Sequence, residues 1–264
     1  STPLFYRGAV MLKSLRRIKQ ATHLFSNNHI IDPEMNQILL SQRYSQDKEV
    51  EYYAKMARRG LYDHEKLFFT QRLKSIDKNE PILIVGGGCG REAFALHHMG
   101  YKVDVLDISS PMIQKGRRLA QKLNIDVHFT YSTLDNYNTK KKYAHIYICT
   151  SLINFIHGKK NRLSFLRKAF SLLKPNGQIA LEVDVFQYRG IHRFNIASRL
   201  LKWKLGKYWE KGDTLRSFYG NHNNNDQTLF YHFYQRSGEV IHELKEAGFS
   251  KAKSKDDFFW GTKN

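Results

Sequence analysis

Four glycines, Gly86, Gly87, Gly88 and Gly90, crowd into one pentapeptide with Cys89, and a lone acid, Asp107, follows about 20 residues after the first of them. Glycines at 86, 88 and 90 let the chain turn tightly and bring its backbone against a ligand, where any side chain would block the approach. A carboxylate at that distance is placed to accept hydrogen bonds from ribose hydroxyls. Together these residues describe a cradle for a nucleoside.

The cradle needs elements that hold it. Ile82-Leu83-Ile84-Val85 is a short apolar run that reads as a buried strand and empties directly into the glycines. Arg91 to Met99 has helical composition and stops at Gly100, and Tyr101 to Leu106 makes a second strand ending at Asp107. The order is strand, glycine turn, helix, strand, acid.

The spacing narrows the ligand. A dinucleotide fold takes G-x-G-x-x-G, with its third glycine inside the helix, whereas Gly86, Gly88 and Gly90 give G-x-G-x-G. No lysine follows, as a phosphate loop requires. The stretch resembles motif I of the class I S-adenosylmethionine-dependent methyltransferases, and Tyr101 to Ile113 (YKVDVLDISSPMI) resembles that family's second-strand motif. The resemblance runs from about Tyr52 to Phe249 and is sharpest from Ile82 to Met112.

The resemblance implies an α/β, Rossmann-like sheet with helices on both faces, and S-adenosyl-L-methionine as cofactor. It implies that the turn Gly86, Gly87, Gly88 and Gly90 approaches the cofactor, that Asp107 binds its ribose, and that Ile108 and Met112 flank the adenine. Thr133 and Leu134, after the third strand at Val127 to Tyr131, would line the adenine from the other side. One departure stands out. Many members carry an acid two residues before the first glycine, where it helps to hold the methionine end, and here that position is Ile84.

Residues 1–80 read as a helical N-terminal extension or lid, and residues 81–264 as the methyltransferase domain. Within the extension, Met11 to Leu24 is basic and amphipathic, which suits packing on the body of the protein or peripheral contact with a membrane. Glu49 to Ile76 breaks at Gly60 into two helices. Segments like it precede motif I in a small-molecule methyltransferase subgroup, which makes Tyr52, Tyr53 and Arg59 lid candidates.

After Asp107, Ser109 or Ser110 caps a helix with Pro111 in its first turn, running to Leu123. Tyr143 to Thr150 is the fourth strand. In an open parallel sheet, ligands sit beyond the carboxyl ends of the strands where strand order reverses, so Thr150, Ser151 and Asn154 are expected to face cofactor or acceptor. His157, in the same loop, is a candidate base, although its neighbours Gly158 and Lys159 suit an exposed histidine. Arg162 to Leu173 is a helix, and LLKPNG at Leu172 to Gly177 resembles the family's turn into a fifth strand, Gln178 to Val185. Glu182 and Asp184 share a face of that strand.

Residues 186–236 form an aromatic and basic insertion on the acceptor side, with Arg193, Arg199, Lys202, Trp203 and Trp209 among its residues. Its stretch Asp213 to Asn225 resembles one in the same subgroup where an aromatic and a histidine approach the acceptor, here Tyr219 and His222, which join His157 as candidate bases for transfer to a hydroxyl. Gly238 to Ala247 reads as a last helix, followed by a closing hairpin that looks short, with Thr228 to Tyr234 offering a replacement strand.

The chain has 264 residues, of which 41% are hydrophobic, enough for a substantial core. No apolar run is long enough to span a bilayer, and the start lacks a secretory apolar region, so the expected location is cytoplasmic. Two cysteines and twelve scattered histidines give neither a disulfide framework nor a metal-ligand spacing. Lys and Arg number 43 against 24 Asp and Glu, a net charge of +19 that favours anionic partners.

These features point to methyl transfer onto O or N of a small anionic acceptor, such as a carbohydrate or glycan precursor. The charge alone would also suit a nucleic-acid methyltransferase. Against that, there is no appended binding module, and TSLIN at Thr150 to Asn154 stands where amino-methylating nucleic-acid enzymes carry Asn/Asp-Pro-Pro-aromatic. Ile84 motivates a third alternative, a catalytically silent cofactor-binding scaffold.

Overall fold

Ile82 to Val85 alternate between the two faces of a strand, and both faces are buried, which requires helices above and below. A computed structural model describes residues 33–185, 209–218 and 227–264 and supplies those helices. Three precede the sheet: α1 (Pro33–Tyr44), α2 (Asp47–Arg59) and α3 (Asp63–Leu73). Then come β1 (Pro81–Val85), α4 (Arg91–His98), β2 (Lys102–Asp107), α5 (Ser110–Leu123), β3 (Val127–Tyr131) and β4 (Tyr143–Ile148). A 3-10 turn at Leu152–Phe155 leads into α6 (Lys159–Leu172) and β5 (Leu173–Glu182). The chain closes with β6 (Asp213–Phe218), β7 (Gln227–His232), α7 (Ser237–Glu246), β8 (Ser250–Lys255) and β9 (Phe258–Thr262).

Seven strands make one sheet in the order β3-β2-β1-β4-β5-β9-β8. The first five are parallel, while β9 runs antiparallel to β5 and β8 antiparallel to β9. The order reverses between β1 and β4, so the crevice at their carboxyl ends is the natural ligand site of this α/β sheet. Ile82, Ile84, Val103 and Val105 pack on one face with Phe69, Ala93 and Phe94. Leu83, Val85, Ile146, Ile148, Ile179 and Leu181 pack on the other with Leu166 and Leu244.

Local signals explain several boundaries. Ser109 caps α5, its hydroxyl accepting from Met112 N at 3.3 Å, with Pro111 inside the first turn. The helix ends at Asn124, whose left-handed conformation (φ 52°) returns the chain toward β3. Several boundaries move from their sequence positions; β4 ends at Ile148 and β5 at Glu182. Helix α6 starts at Lys159 rather than Arg162, and β5 starts at Leu173 because Leu173 pairs with Tyr143 across a register shift, which encloses the Lys174–Gly177 bend inside the strand.

The end of the chain also differs from expectation. The closing hairpin is complete, with β8 and β9 both in the main sheet, so residues 228–234 are not needed there. Instead β7 pairs with β6 in a separate two-stranded antiparallel sheet. Asp213 to Phe218 is therefore strand, although its neighbourhood is rich in turn residues. Arg162 ties this sheet to the body: 2% exposed, it donates to Glu243 of α7 at 2.8 Å and to Glu210, just before β6, at 2.9 Å. Among the described residues no helix is long and apolar enough to cross a membrane.

His145 of β4 is fully buried, and neither ring nitrogen has a hydrogen-bond partner. Burial, with Arg72 adding to it, pushes its pKa down to about 3. The unfolded chain protonates this ring below about 6.5 and the folded chain does not, so stability falls as the pH drops through that window. Each unit costs about 1.4 kcal/mol. His145→Leu should remove this slope, so that its stability relative to the native protein improves by about 2 kcal/mol between pH 6.5 and pH 5. Urea unfolding of both proteins at the two pH values measures it, and parallel pH dependences would refute the assignment.

Candidate cofactor site

At the carboxyl end of β1 the chain enters Gly86 through a hydrogen bond from Gly86 N to Leu106 O at 2.7 Å. Gly88 follows at φ +51°, a left-handed conformation that favours glycine, and a Cβ there would meet only Met112 Sδ, at 3.2 Å. At Gly88 the turn therefore presents bare backbone to open space, whereas a Cβ at Gly86 or Gly87 would strike Leu152 or Val105. Gly90 has another task. At φ +95° it starts α4, and a Cβ would strike Phe129 at 2.8 Å and Phe94 at 3.0 Å, so this glycine permits helix-to-sheet packing.

Asp107, at the tip of β2, holds the turn. Its Oδ2 accepts from Gly88 N at 2.8 Å and its Oδ1 from Ser109 N at 2.8 Å. Burial raises its pKa above the ordinary carboxylate value, while the bonds from Ser109, Gly88 and Ile108 N–H groups partly offset the rise.

Above this turn lies a cavity of about 780 Å³, in the range of small-molecule and cofactor sites. Gly86, Gly87, Gly88, Asp107, Ile108, Met112, Thr133, Leu134, Thr150 and His157 all line it. Gly90 does not, in keeping with its packing role. Tyr219 and His222 lie outside the described residues, as do Arg193, Arg199 and Lys202.

His157 is buried rather than exposed, at 5% exposure. Its ring packs on Phe230 of β7, centroids 4.3 Å apart, and its carbonyl accepts from Asn161 Nδ2 at 2.8 Å. The small second sheet thus covers a loop that its own residues would leave in water. Asn154 is also buried, but it bonds to Asp184 O at 3.0 Å and His232 O at 2.7 Å, so it joins the end of the main sheet to β7. Glu182 accepts from Thr150 Oγ1 at 2.5 Å and Asp184 from the Tyr231 hydroxyl.

The lid side departs from the sequence reading. Tyr53 of α2 reaches the cavity wall, while Tyr52 is 48% exposed and Arg59 stacks over Tyr62. Helix α1 contributes more, through Asn36, Gln37, Leu40 and Tyr44. Asn36 fixes it in place, donating to Phe155 O at 2.8 Å and accepting from Phe230 N at 3.1 Å. Ser41 Oγ donates to Ile108 O at 3.0 Å, and Ser109 Oγ to Tyr44 O at 2.8 Å. The two buried residues of α1, Asn36 and Leu40, stand four apart on one face of the helix.

Two thiols also border the cavity, Cys89 and Cys149. Burial pushes the first up to about 12 and the second well above its ordinary value.

The donor set fits an adenosyl ligand: a bare glycine turn, an acid at the strand tip and apolar walls from Ile108, Met112 and Leu134. Residues 82–177 match the family described as methyltransferase domain. Over that stretch the chain is similar to methyltransferase domains. No curated protein sequence matches the chain. Solved structures share the fold of the methyltransferase domain at low identity. A SAM-dependent methyltransferase from Methanosarcina mazei is 17% identical with a TM-score of 0.56, over 77% of this chain and 98% of its own. CalS10, an amino pentose methyltransferase from Micromonospora echinaspora, is 13% identical with a TM-score of 0.55, over 81% and 97%. A Haemonchus contortus phosphoethanolamine N-methyltransferase is 13% identical with a TM-score of 0.57, over 83% of this chain and 45% of its own.

Outside the domain's cavity, Glu210, Asp213 and His232 bring ligand atoms within 4.8 Å of one another. Their partners are already protein groups. Arg162 Nη2 and Lys159 N donate to Glu210, and His232 Nδ1 lies 2.7 Å from Asp213 Oδ1. The Arg162 guanidinium supplies the positive charge that a metal would bring.

Proposed function

We propose that the chain transfers a methyl group from S-adenosylmethionine to an oxygen or nitrogen of a small anionic acceptor, with Gly86 to Gly88 against the cofactor, Asp107 on its ribose, and Ile108, Met112, Thr133 and Leu134 around its adenine. The observation that carries this is the union of the glycine turn, Asp107 and His157 in one cavity. The cofactor, when bound, supplies an electrophilic methyl on a sulfonium, so most of the acceleration comes from holding the acceptor in line.

The chain's residues supply the rest. His157, Asn161, Ser164 and Phe165 wall the cavity beside the start of α6 and form the acceptor end, with α1 excluding water above it. His157 takes the proton that a hydroxyl or ammonium acceptor sheds. Anionic character is supported by the +19 net charge and by Arg193, Arg199 and Lys202 in the segment that follows β5. The described lining has Arg91 as its cation against Glu34, Glu92, Asp107 and Asp135, so attraction for an anionic acceptor rests on that segment. Among the neighbours in fold, one is an amino pentose methyltransferase and another is bound to phosphomonomethylethanolamine; both ligands are small, and the second is a phosphate ester.

Incubation with methyl-labelled cofactor and fractionated metabolite extract tests the reading, and labelled product confined to RNA would overturn the small-molecule acceptor. With the acceptor identified, His157→Asn should lower kcat by about 100-fold. Affinity for S-adenosylhomocysteine should stay within about twofold. An unchanged kcat and pH profile would leave His157 as wall only.

A further inference from the structure

Ile84 is fully buried among Cys89, Ala93 and Tyr147, so β1 offers no carboxylate to the methionine end of the cofactor. The neighbouring helix does. Glu92 lies at the start of α4, on the same side of the sheet as Ile84, and it lines the cavity with Arg91 next to the glycine turn. Both belong to a buried cluster. Arg91 Nη1 and Nη2 donate to the two oxygens of Glu65 at 2.6 and 2.5 Å, and Nη2 also donates to Glu92 Oε1 at 2.6 Å. Glu65 accepts in addition from Tyr62 N at 2.7 Å, and its side chain is 1% exposed.

The charges in this cluster do not balance. Two carboxyl groups face one guanidinium, so with both ionised one negative charge at the cavity wall lacks a counter-charge. Burying an uncompensated carboxylate is costly unless a cation completes it. Glu65, on the far side of Arg91 and absent from the cavity lining, is saturated by its fork and by Tyr62. The excess charge therefore falls to Glu92. Burial also raises the Glu92 pKa, with Arg91 opposing the rise, as expected of a carboxylate lacking its full counter-charge.

We infer that Glu92, aimed by the Arg91–Glu65 pair, receives the α-ammonium of the cofactor's methionine end and so replaces the carboxylate missing at Ile84. This rests on the cofactor reading of the cavity. Arg91 and Glu65 are positioning residues: their bidentate pairing fixes the guanidinium, and the guanidinium fixes Glu92. A helix-borne acid in place of a strand-borne one explains how the methionine end is held by a chain whose first strand is wholly apolar.

Calorimetry with three ligands separates the possibilities: S-adenosylhomocysteine, its deamino analogue, and 5′-methylthioadenosine, which lacks the amino acid end altogether. The native protein should prefer S-adenosylhomocysteine over the deamino analogue by about 10- to 100-fold, the range for a charge-assisted hydrogen bond. In Glu92→Gln that preference should collapse, with 5′-methylthioadenosine affinity within about twofold of native. Glu92→Asp keeps the charge and the Arg91 pair, which guards against misfolding, and should show an intermediate preference. A native protein without the preference overturns the inference, as does a full preference in Glu92→Gln. Failure of the native protein to bind any of the three would instead sink the cofactor site itself.

Discussion

Asp107→Ala should weaken S-adenosylhomocysteine binding by at least about 100-fold, the product of two charge-assisted hydrogen bonds of about 1.5 kcal/mol or more each. The carboxylate acts twice over. In the free protein it accepts from Gly88 N and Ser109 N, so its removal leaves two N–H groups unsatisfied and frees the turn. On the proposed reading of the cavity it also accepts from the ribose hydroxyls of the bound ligand. Calorimetry reads the loss, and an unchanged affinity would dismiss the ribose role.

The pH dependence gives a second handle on the same residue. Burial raises the Asp107 pKa above 3.8, so between that value and the higher folded one the folded chain holds a proton that the unfolded chain has lost. Its contribution to stability is present below the ordinary value and is lost as the pH rises through the folded one. Ligand affinity has the opposite sign, because the ribose needs the ionised acid. Acidification through that window should therefore weaken binding while this group's effect on folding improves.

Gly88→Val should abolish binding, a loss beyond about 1,000-fold, or more than about 4 kcal/mol, while leaving the fold intact. The backbone at φ +51° strains a β-branched residue by about 1–3 kcal/mol, which a domain of this size survives. The protein itself leaves room, since the nearest atom to a Cβ is the flexible Met112 thioether at 3.2 Å. The isopropyl group then fills the space that the ligand needs. Circular dichroism checks the fold and calorimetry the binding; a folded variant that still binds would remove the close-approach argument. A side chain at Gly90 would act otherwise, since it meets Phe129 and Phe94 in the core.

The nucleoside end of the cavity was legible because its signals are local. Glycine spacing, the apolar run before it and the acid at the next strand's end all lie within Pro81 to Asp107, and β1 and β2 form there as parallel neighbours. Ser109 and Pro111 likewise announced α5. What escaped depends on contacts between distant segments. His157 read as an exposed loop residue, because the β7 residues that bury it lie far along the chain. Asp213 to Phe218 carried no strand signal of its own within the stretch Asp213 to Asn225, because its strand character comes from pairing with β7. Arg91 and Glu92 are ordinary first-turn helix residues until α3 brings Glu65 against them. The lid was sought in the aromatic α2, whereas polar anchors on α1 decide which helix closes the cavity.

The two cysteines beside the cavity take on a consequence once a methyl sulfonium is considered there. A thiolate in that position would be a ready target for alkylation, and the protein would inactivate itself slowly by modifying its own wall. Low-dielectric surroundings keep Cys89 and Cys149 as neutral thiols at physiological pH, which are poor nucleophiles. The dry setting of the site thus spares the donor for its intended recipient.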